Sequence, residues 1–112
     1  MDLAEIAGLP NQIHAARLRV EELLADKREK ERELREREVG YLCDPDSGLL
    51  QGKNAEERAA RLYNLTRSAR IAIEHVDREL GPAKAEWDFC QDQLRMSLAL
   101  LAYWKEHENV CL

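Results

Sequence analysis

Glycine and proline are scarce in this sequence, and their scarcity restricts both fold and function. Of 112 residues only 5 are glycine and 3 are proline, and the glycines are isolated from one another. The chain therefore has no glycine-rich loop of the kind that binds phosphate groups. β-Branched residues are also sparse, whereas leucine, alanine, glutamate and arginine dominate. Because these four are good helix formers, the sequence predicts an all-α fold.

Side chains able to carry catalysis or to bind a metal are few and scattered. The 3 cysteines are an odd number without metal-type spacing, and the 3 histidines have no cysteine or serine at motif spacing. These residues are Cys43, Cys90, Cys111, His14, His75 and His107. We therefore predict that the chain is not an enzyme and holds no metal or cofactor.

Long apolar runs are absent as well, which argues against a membrane span. The opening residues lack the basic and apolar blocks of a signal peptide, and the cysteines are typical of reduced thiols. We expect a single cytoplasmic domain over residues 1–112. The net charge of -5 argues against general binding to nucleic acid, because phosphate contacts need a surplus of lysine and arginine.

Apolar residues recur at spacings of three and four between residues 54 and 104, the pattern of one buried helix face. This main stripe consists of Leu62, Leu65, Ala69, Ile73, Val76, Leu80, Ala83, Trp87, Cys90, Leu94, Leu98 and Leu101. It predicts a long helix over residues 54–106. Asn54 is the expected N-cap, with Glu57 three residues later as in a capping box.

Gly81 and Pro82 stand inside this pattern, although proline removes a helical hydrogen bond and disfavours helical geometry in the residue before it. Both fall on the face away from the main stripe, whose phase continues beyond them. We therefore favour a helical hairpin whose second helix is kinked at residues 81–82. A reversal of the chain there would instead give a three-helix bundle.

A first long helix is predicted for residues 10–39, with Gly40 as its C-terminal stop. A short helical turn capped by Asp2 is expected to precede it and to end at Gly8. Residues 40–53 are rich in turn-forming residues and are expected to connect the two long helices.

Residues 26–38 of the first helix are nearly all charged, with Leu34 as the only apolar residue, and we interpret them as a solvated helix face. Four arginines without an acid occur between residues 58 and 70. Folded back as a hairpin, they should pair with acids of the first helix, for which the candidates are Asp26, Glu29, Glu33 and Glu36. The competing interpretation is contact with nucleic acid through Lys53, Arg58, Arg61, Arg67 and Arg70.

The end of the second helix carries apolar residues on two sides. Besides the main stripe, Phe89, Met96, Leu100 and Tyr103 form a second line on roughly the opposite side of the helix. The first helix should run out near Gly81, which would leave the C-terminal segment bare. We predict a homo-oligomer interface formed by Trp87, Phe89, Leu94, Met96, Leu98, Leu100, Leu101, Tyr103 and Trp104.

The string Gly-Lys-Asn-Ala-Glu-Glu-Arg at residues 52–58 joins a charged helix to a long helix rich in leucine and alanine. In this string and in the order of its elements, the chain resembles small, coiled-coil-like helical proteins of bacteriophages and prophages. The resemblance implies a bacterial host cytoplasm and no assigned activity.

Together these patterns predict a non-enzymatic, phage-type interaction protein that self-associates through its C-terminal helix. One alternative is a small inhibitor that blocks a host enzyme or defence complex, because acidic proteins can occupy basic clefts. Its candidate surfaces are residues 26–38 and residues 44–48. Another alternative is an accessory protein that binds nucleic acid.

Overall fold

The computed structural model describes residues 2–44, 46 and 54–110, which form three helices and no strand. Helix α1 spans Leu3–Cys43, α2 spans Ala55–Leu65 and α3 spans Arg67–Val110. The all-α prediction is confirmed for this part of the chain. None of the three helices, as far as they are described, combines the length and the apolarity that crossing a bilayer requires.

Helix α1 begins earlier than the sequence predicts. Asp2 caps it as expected, since the backbone N–H of Glu5 donates to Asp2 Oδ1 at 2.8 Å. The predicted stop at Gly8 is wrong, because the helix continues through Gly8 and Pro10. Glycine costs about 1 kcal/mol and proline about 3 kcal/mol relative to alanine inside a helix. Leu9 lies between them and is only 1% exposed, so its burial offsets part of this cost.

The predicted end of α1 at Gly40 is also wrong, because the helix reaches Cys43. Just beyond it, the backbone N–H of Asp46 donates to Asp44 Oδ1 at 2.9 Å. An aspartate that accepts the N–H two residues later forms a turn. This agrees with the turn expected for the connection, most of which lies outside the described residues.

Asn54 caps α2 as predicted, with its Oδ1 accepting the N–H of Glu57 at 2.8 Å. The single helix predicted over residues 54–106 is nevertheless wrong at Thr66, which separates α2 from α3. The Thr66 hydroxyl donates to the Leu62 carbonyl at 2.8 Å, a bond that bends helices. The backbone bond from Thr66 N to the same carbonyl persists at 3.0 Å, so the interruption is confined to one residue.

Helix α3 continues through Gly81 and Pro82. The reversal that a three-helix bundle needs at this point therefore does not occur. Both residues are exposed, as expected from their place away from the main stripe. On this exposed side, the carbonyl that loses the Pro82 hydrogen bond can bond water instead. The kink at residues 81–82 stays a prediction.

The chain divides into two compact units. The unit of residues 23–79 contains the second half of α1, all of α2 and the start of α3. Lys27 pairs with Asp77 at 2.7 Å and Glu38 pairs with Arg70 at 3.0 Å, so α1 and α3 run antiparallel within this unit. Its most buried residues are Leu23, Thr66 and Val76.

The other unit combines the start of α1, up to Glu22, with α3 from Leu80 onwards. Its buried residues are Leu9, Val20, Leu80, Cys90 and Ser97. The sequence predicts that the first helix runs out near Gly81, and this is wrong. The beginning of α1 instead belongs to the same compact unit as the end of α3, because α1 starts at Leu3.

Candidate interaction surface

The second line of α3 is open to water along its whole length. Phe89, Met96, Leu100 and Tyr103 are between 54% and 66% exposed. At about 100° per residue, the centre of this line lies about 120° around the helix from Cys90 and its buried neighbours. A helix with two apolar faces needs cover on both, and the folded chain covers only one of them.

The main stripe of α3 is buried along most of its length but shifts near its end. Cys90 is buried, and Trp87 and Leu94 are half-buried. The next buried residue is Ser97, 7% exposed, whereas Leu98 is 54% exposed. The placement of Leu98 on the buried face is therefore wrong. At about 100° per residue, residues 90, 94 and 97 fall within about 60° of one another around the helix, whereas residues 90, 94 and 98 span about 80°.

The nine residues predicted for an oligomer interface thus divide into two groups. Trp87 and Leu94 pack partly within their own unit, and the indole N–H of Trp87 is buried there without a hydrogen-bond partner. The other seven are large apolar side chains open to solvent: Phe89, Met96, Leu98, Leu100, Leu101, Tyr103 and Trp104. Their contact with another chain stays a prediction.

An apolar groove of about 370 Å³ lies beside Leu98 in the same unit. Ile13 from α1 forms one wall, and Leu94 and Leu98 from α3 form the other. Gln91 and Arg95 complete its lining. The groove is a further apolar feature of this end of α3, on a different side of the helix from the second line.

His107 contacts Tyr103 at the C-terminal end of the second line. The His107 ring lies against the Tyr103 ring at a centroid distance of 3.8 Å and an angle of 32°. His107 Nδ1 lies 3.0 Å from the Tyr103 backbone carbonyl oxygen, to which it donates a hydrogen bond. Both contacts join residues four apart on one helix.

The basic residues proposed for nucleic-acid contact do not act as one free patch. Arg58, Arg61 and Arg67 are exposed on α2 and at the start of α3. Arg70 is half-buried and bonded to Glu38, and it also donates to Thr66 Oγ1 at 3.1 Å. Its guanidinium carbon lies 5.2 Å from the centre of the Tyr63 ring, a cation–π contact. Lys53 lies outside the described residues.

Arg70 therefore pairs across the helices, as the hairpin requires, but with Glu38 rather than with a predicted acid. Asp26 bonds Lys30 at 2.8 Å, and Arg32 bridges Glu29 and Glu36. These contacts lie within α1, so the cross-helix pairing predicted for these three acids is wrong. Neighbours three or four residues apart on one helix are within easy reach of each other. Glu33 lines a cleft of about 210 Å³ with Lys30, Arg37 and Ser68.

The Lys27–Asp77 pair predicts a dependence of stability on alkaline pH. The hydrogen bond and charge of Asp77 raise the pKa of Lys27 above its ordinary value of 10.5. A group whose folded-state pKa is raised stabilises the protein below the unfolded value and loses that effect as pH rises through the folded value. Lys27→Gln should therefore lower the urea midpoint at neutral pH, and the difference from the parent protein should begin to shrink near pH 10.5 and disappear only above the raised pKa of Lys27. A difference that persists at high pH would contradict this account.

The cysteines predict a contrast in reactivity. Cys43 is exposed and Cys90 is buried. Burial raises the pKa of the Cys90 thiol, and the hydrogen bond to Glu86 and the charge of that carboxylate raise it further. Since the thiolate is the nucleophile, iodoacetamide at neutral pH should alkylate Cys43 at least about tenfold faster than Cys90. Peptide mass mapping measures both rates. Equal rates in the folded protein would contradict the burial of Cys90, and equal rates are expected only in denaturant.

Comparisons with known proteins leave the function open. Among the residues that the structure describes, no three His, Cys, Asp or Glu side chains form a group able to hold a metal ion. The resemblance to bacteriophage proteins, the inhibitor hypothesis and the nucleic-acid hypothesis stay predictions. The chain matches no protein-family model, and searches of curated proteins and of solved structures found no match.

Proposed function

We propose that this chain is a non-enzymatic helical interaction protein that self-associates through the second line of α3. The observation that carries the proposal is the exposure of Phe89, Met96, Leu100 and Tyr103, which follow one another at spacings of seven, four and three residues on one helix. A regular line of large apolar side chains on a stable helix is the pattern by which helices recognise one another.

The second line forms an apolar patch of appreciable size. At about 200 Å² for a fully exposed large side chain, its four residues leave roughly 470 Å² open to water. A standard interface buries about 800 Å² on each partner, so the second line supplies more than half of that area. Covering it therefore stabilises an assembly.

A second copy of the chain suits this surface because the second line contains no charged residue. Two such lines brought together bury apolar against apolar surface and leave no unpaired charge inside the contact. The helix that carries them is already formed and held against α1, so association orders little additional backbone. This lowers the entropic cost of binding.

Multi-angle light scattering at micromolar concentrations tests the proposal. A single chain has a mass of 12.9 kDa, and we expect a measured mass of at least twice that value. Because apolar contact drives the association, the mass should not fall when the salt concentration is raised from about 0.1 M to about 1 M, conditions that screen charge pairs. A mass of 12.9 kDa at all these concentrations would overturn the proposal.

A further inference from the structure

We infer that Gln93 determines how two copies pair, by fixing the two α3 helices parallel and in register. This inference rests on the proposed self-association. Gln93 lies four residues after Phe89 and three before Met96, so it continues the alternation of four and three along the second line. Asp92 lies three residues after Phe89 and four before Met96, which breaks that alternation. Unlike its neighbours on the line, Gln93 is only half-exposed in the folded chain.

With Gln93 included, the successive spacings from Phe89 to Tyr103 are four, three, four and three residues. This alternation fits the two core positions, a and d, of a heptad. Gln93 and Leu100 fall at position a, and Phe89, Met96 and Tyr103 fall at position d. In a parallel pair each layer contains the same residue from both helices. Gln93 then faces Gln93 of the second copy, and two amides can satisfy each other because each both donates and accepts.

An antiparallel pair gives Gln93 a different neighbour. Position a of one helix then faces position d of the other, so the arrangement that places Met96 against Leu100 also places Gln93 against Tyr103. Shifting the parallel pair by one heptad sets Gln93 of one copy against Leu100 of the other, which leaves that amide buried without a partner. A buried polar group without a partner is costly, so a single such residue can specify one register.

The charges beside the second line favour the parallel arrangement. Asp92 and Glu106 occupy position g of the same heptads, and both are exposed. An antiparallel pair sets position g against position g, which brings Asp92 near Glu106 of the other copy twice. A parallel pair sets position g against position e. Position e carries no acid: Cys90 and Ser97 are buried within their own unit, and Trp104 is exposed.

Disulfide cross-linking distinguishes the two arrangements. In a chain with Cys43→Ser and Cys111→Ser, Met96→Cys should form a covalent dimer on mild oxidation, because equivalent d positions face each other only in the parallel register. A mixture of Gln93→Cys and Tyr103→Cys chains should form little heterodimer. Arg95→Cys, an exposed position away from the second line, is the matched control and should not cross-link.

The role of Gln93 is tested by replacing it. In the Met96→Cys chain, Gln93→Leu removes the polar layer. We expect the dissociation constant to fall about tenfold. The yield of the Met96→Cys cross-link should fall as well, because other registers become populated. Gln93→Asn should restore the yield. An unchanged cross-link yield in Gln93→Leu would show that Gln93 does not set the register.

The two claims fail in different ways. A monomeric mass for the parent chain would overturn the self-association and the inference together. A dimeric mass with the heterodimer of Gln93→Cys and Tyr103→Cys, and without the Met96→Cys cross-link, would overturn the parallel arrangement alone. A dimeric mass with neither cross-link would overturn the parallel register and the role of Gln93 together.

Discussion

Leu100→Glu should abolish self-association and leave the helices of the chain intact. Leu100 is 57% exposed in the folded chain, so a charged side chain at this position has water around it in the monomer. In the proposed assembly the same side chain enters an apolar contact from both copies. Burying an unpaired charge costs several kcal/mol, which corresponds to a weakening of roughly a thousandfold or more. Light scattering should report 12.9 kDa, with an unchanged far-ultraviolet circular dichroism spectrum.

Ala102→Glu is the matched control for this variant. Ala102 lies two residues further along α3, is exposed, and falls on a different side of the helix from Leu100. The same charge placed there should leave the mass of the assembly unchanged. The account fails if Leu100→Glu keeps the mass of the parent protein, or if both variants dissociate equally. Unfolding of Leu100→Glu would mean that the second line belongs to the core of the chain.

Leu9→Ala should strongly destabilise the start of α1. Leu9 is 1% exposed, and truncating a fully buried leucine costs about 2–5 kcal/mol. The loss falls on a segment that carries Gly8 and Pro10, which are both unfavourable inside a helix. Urea denaturation followed by circular dichroism measures the change. Amide exchange should show that protection of residues 3–13 falls more than protection within residues 67–79.

Leu3→Ala is the control for the buried leucine, because Leu3 belongs to the same helix but is 71% exposed. It should change the free energy of unfolding by less than about 0.5 kcal/mol. Equal effects of Leu3→Ala and Leu9→Ala would contradict the burial of Leu9. The explanation for the continuous helix through Gly8 and Pro10 would then be lost.

Features set by neighbouring residues could be predicted from the sequence. The caps at Asp2 and Asn54 depend on a side chain three residues before the N–H that it accepts, and both are confirmed. The main stripe predicts the burial of Val76, Leu80 and Cys90, because a helical period keeps these residues on one face. The exposure of the second line also follows from that period once the covered face is known.

Features set by packing against another helix could not be predicted in this way. Gly8 and Gly40 both favour a helix end by intrinsic preference. The continuation of α1 through Gly8 accompanies the burial of Leu9, which local preference does not predict. The interruption at Thr66 depends on a hydroxyl that can bond either water or the Leu62 carbonyl. Ser97 was missed as a buried residue because it is polar. Gln93 was missed within the second line for the same reason.

Isotope-filtered nuclear Overhauser spectroscopy tests the central claim most directly. Equal amounts of labelled and unlabelled chain are mixed, so that only contacts between different copies give filtered signals. The account predicts such signals from the Met96 methyl group to the Leu100 methyl groups, and from the Leu100 methyl groups to the Tyr103 ring, because these residues occupy neighbouring layers of the parallel pair. It would be contradicted by filtered signals confined to other residues, or by their absence from a sample at concentrations where the chain should be associated.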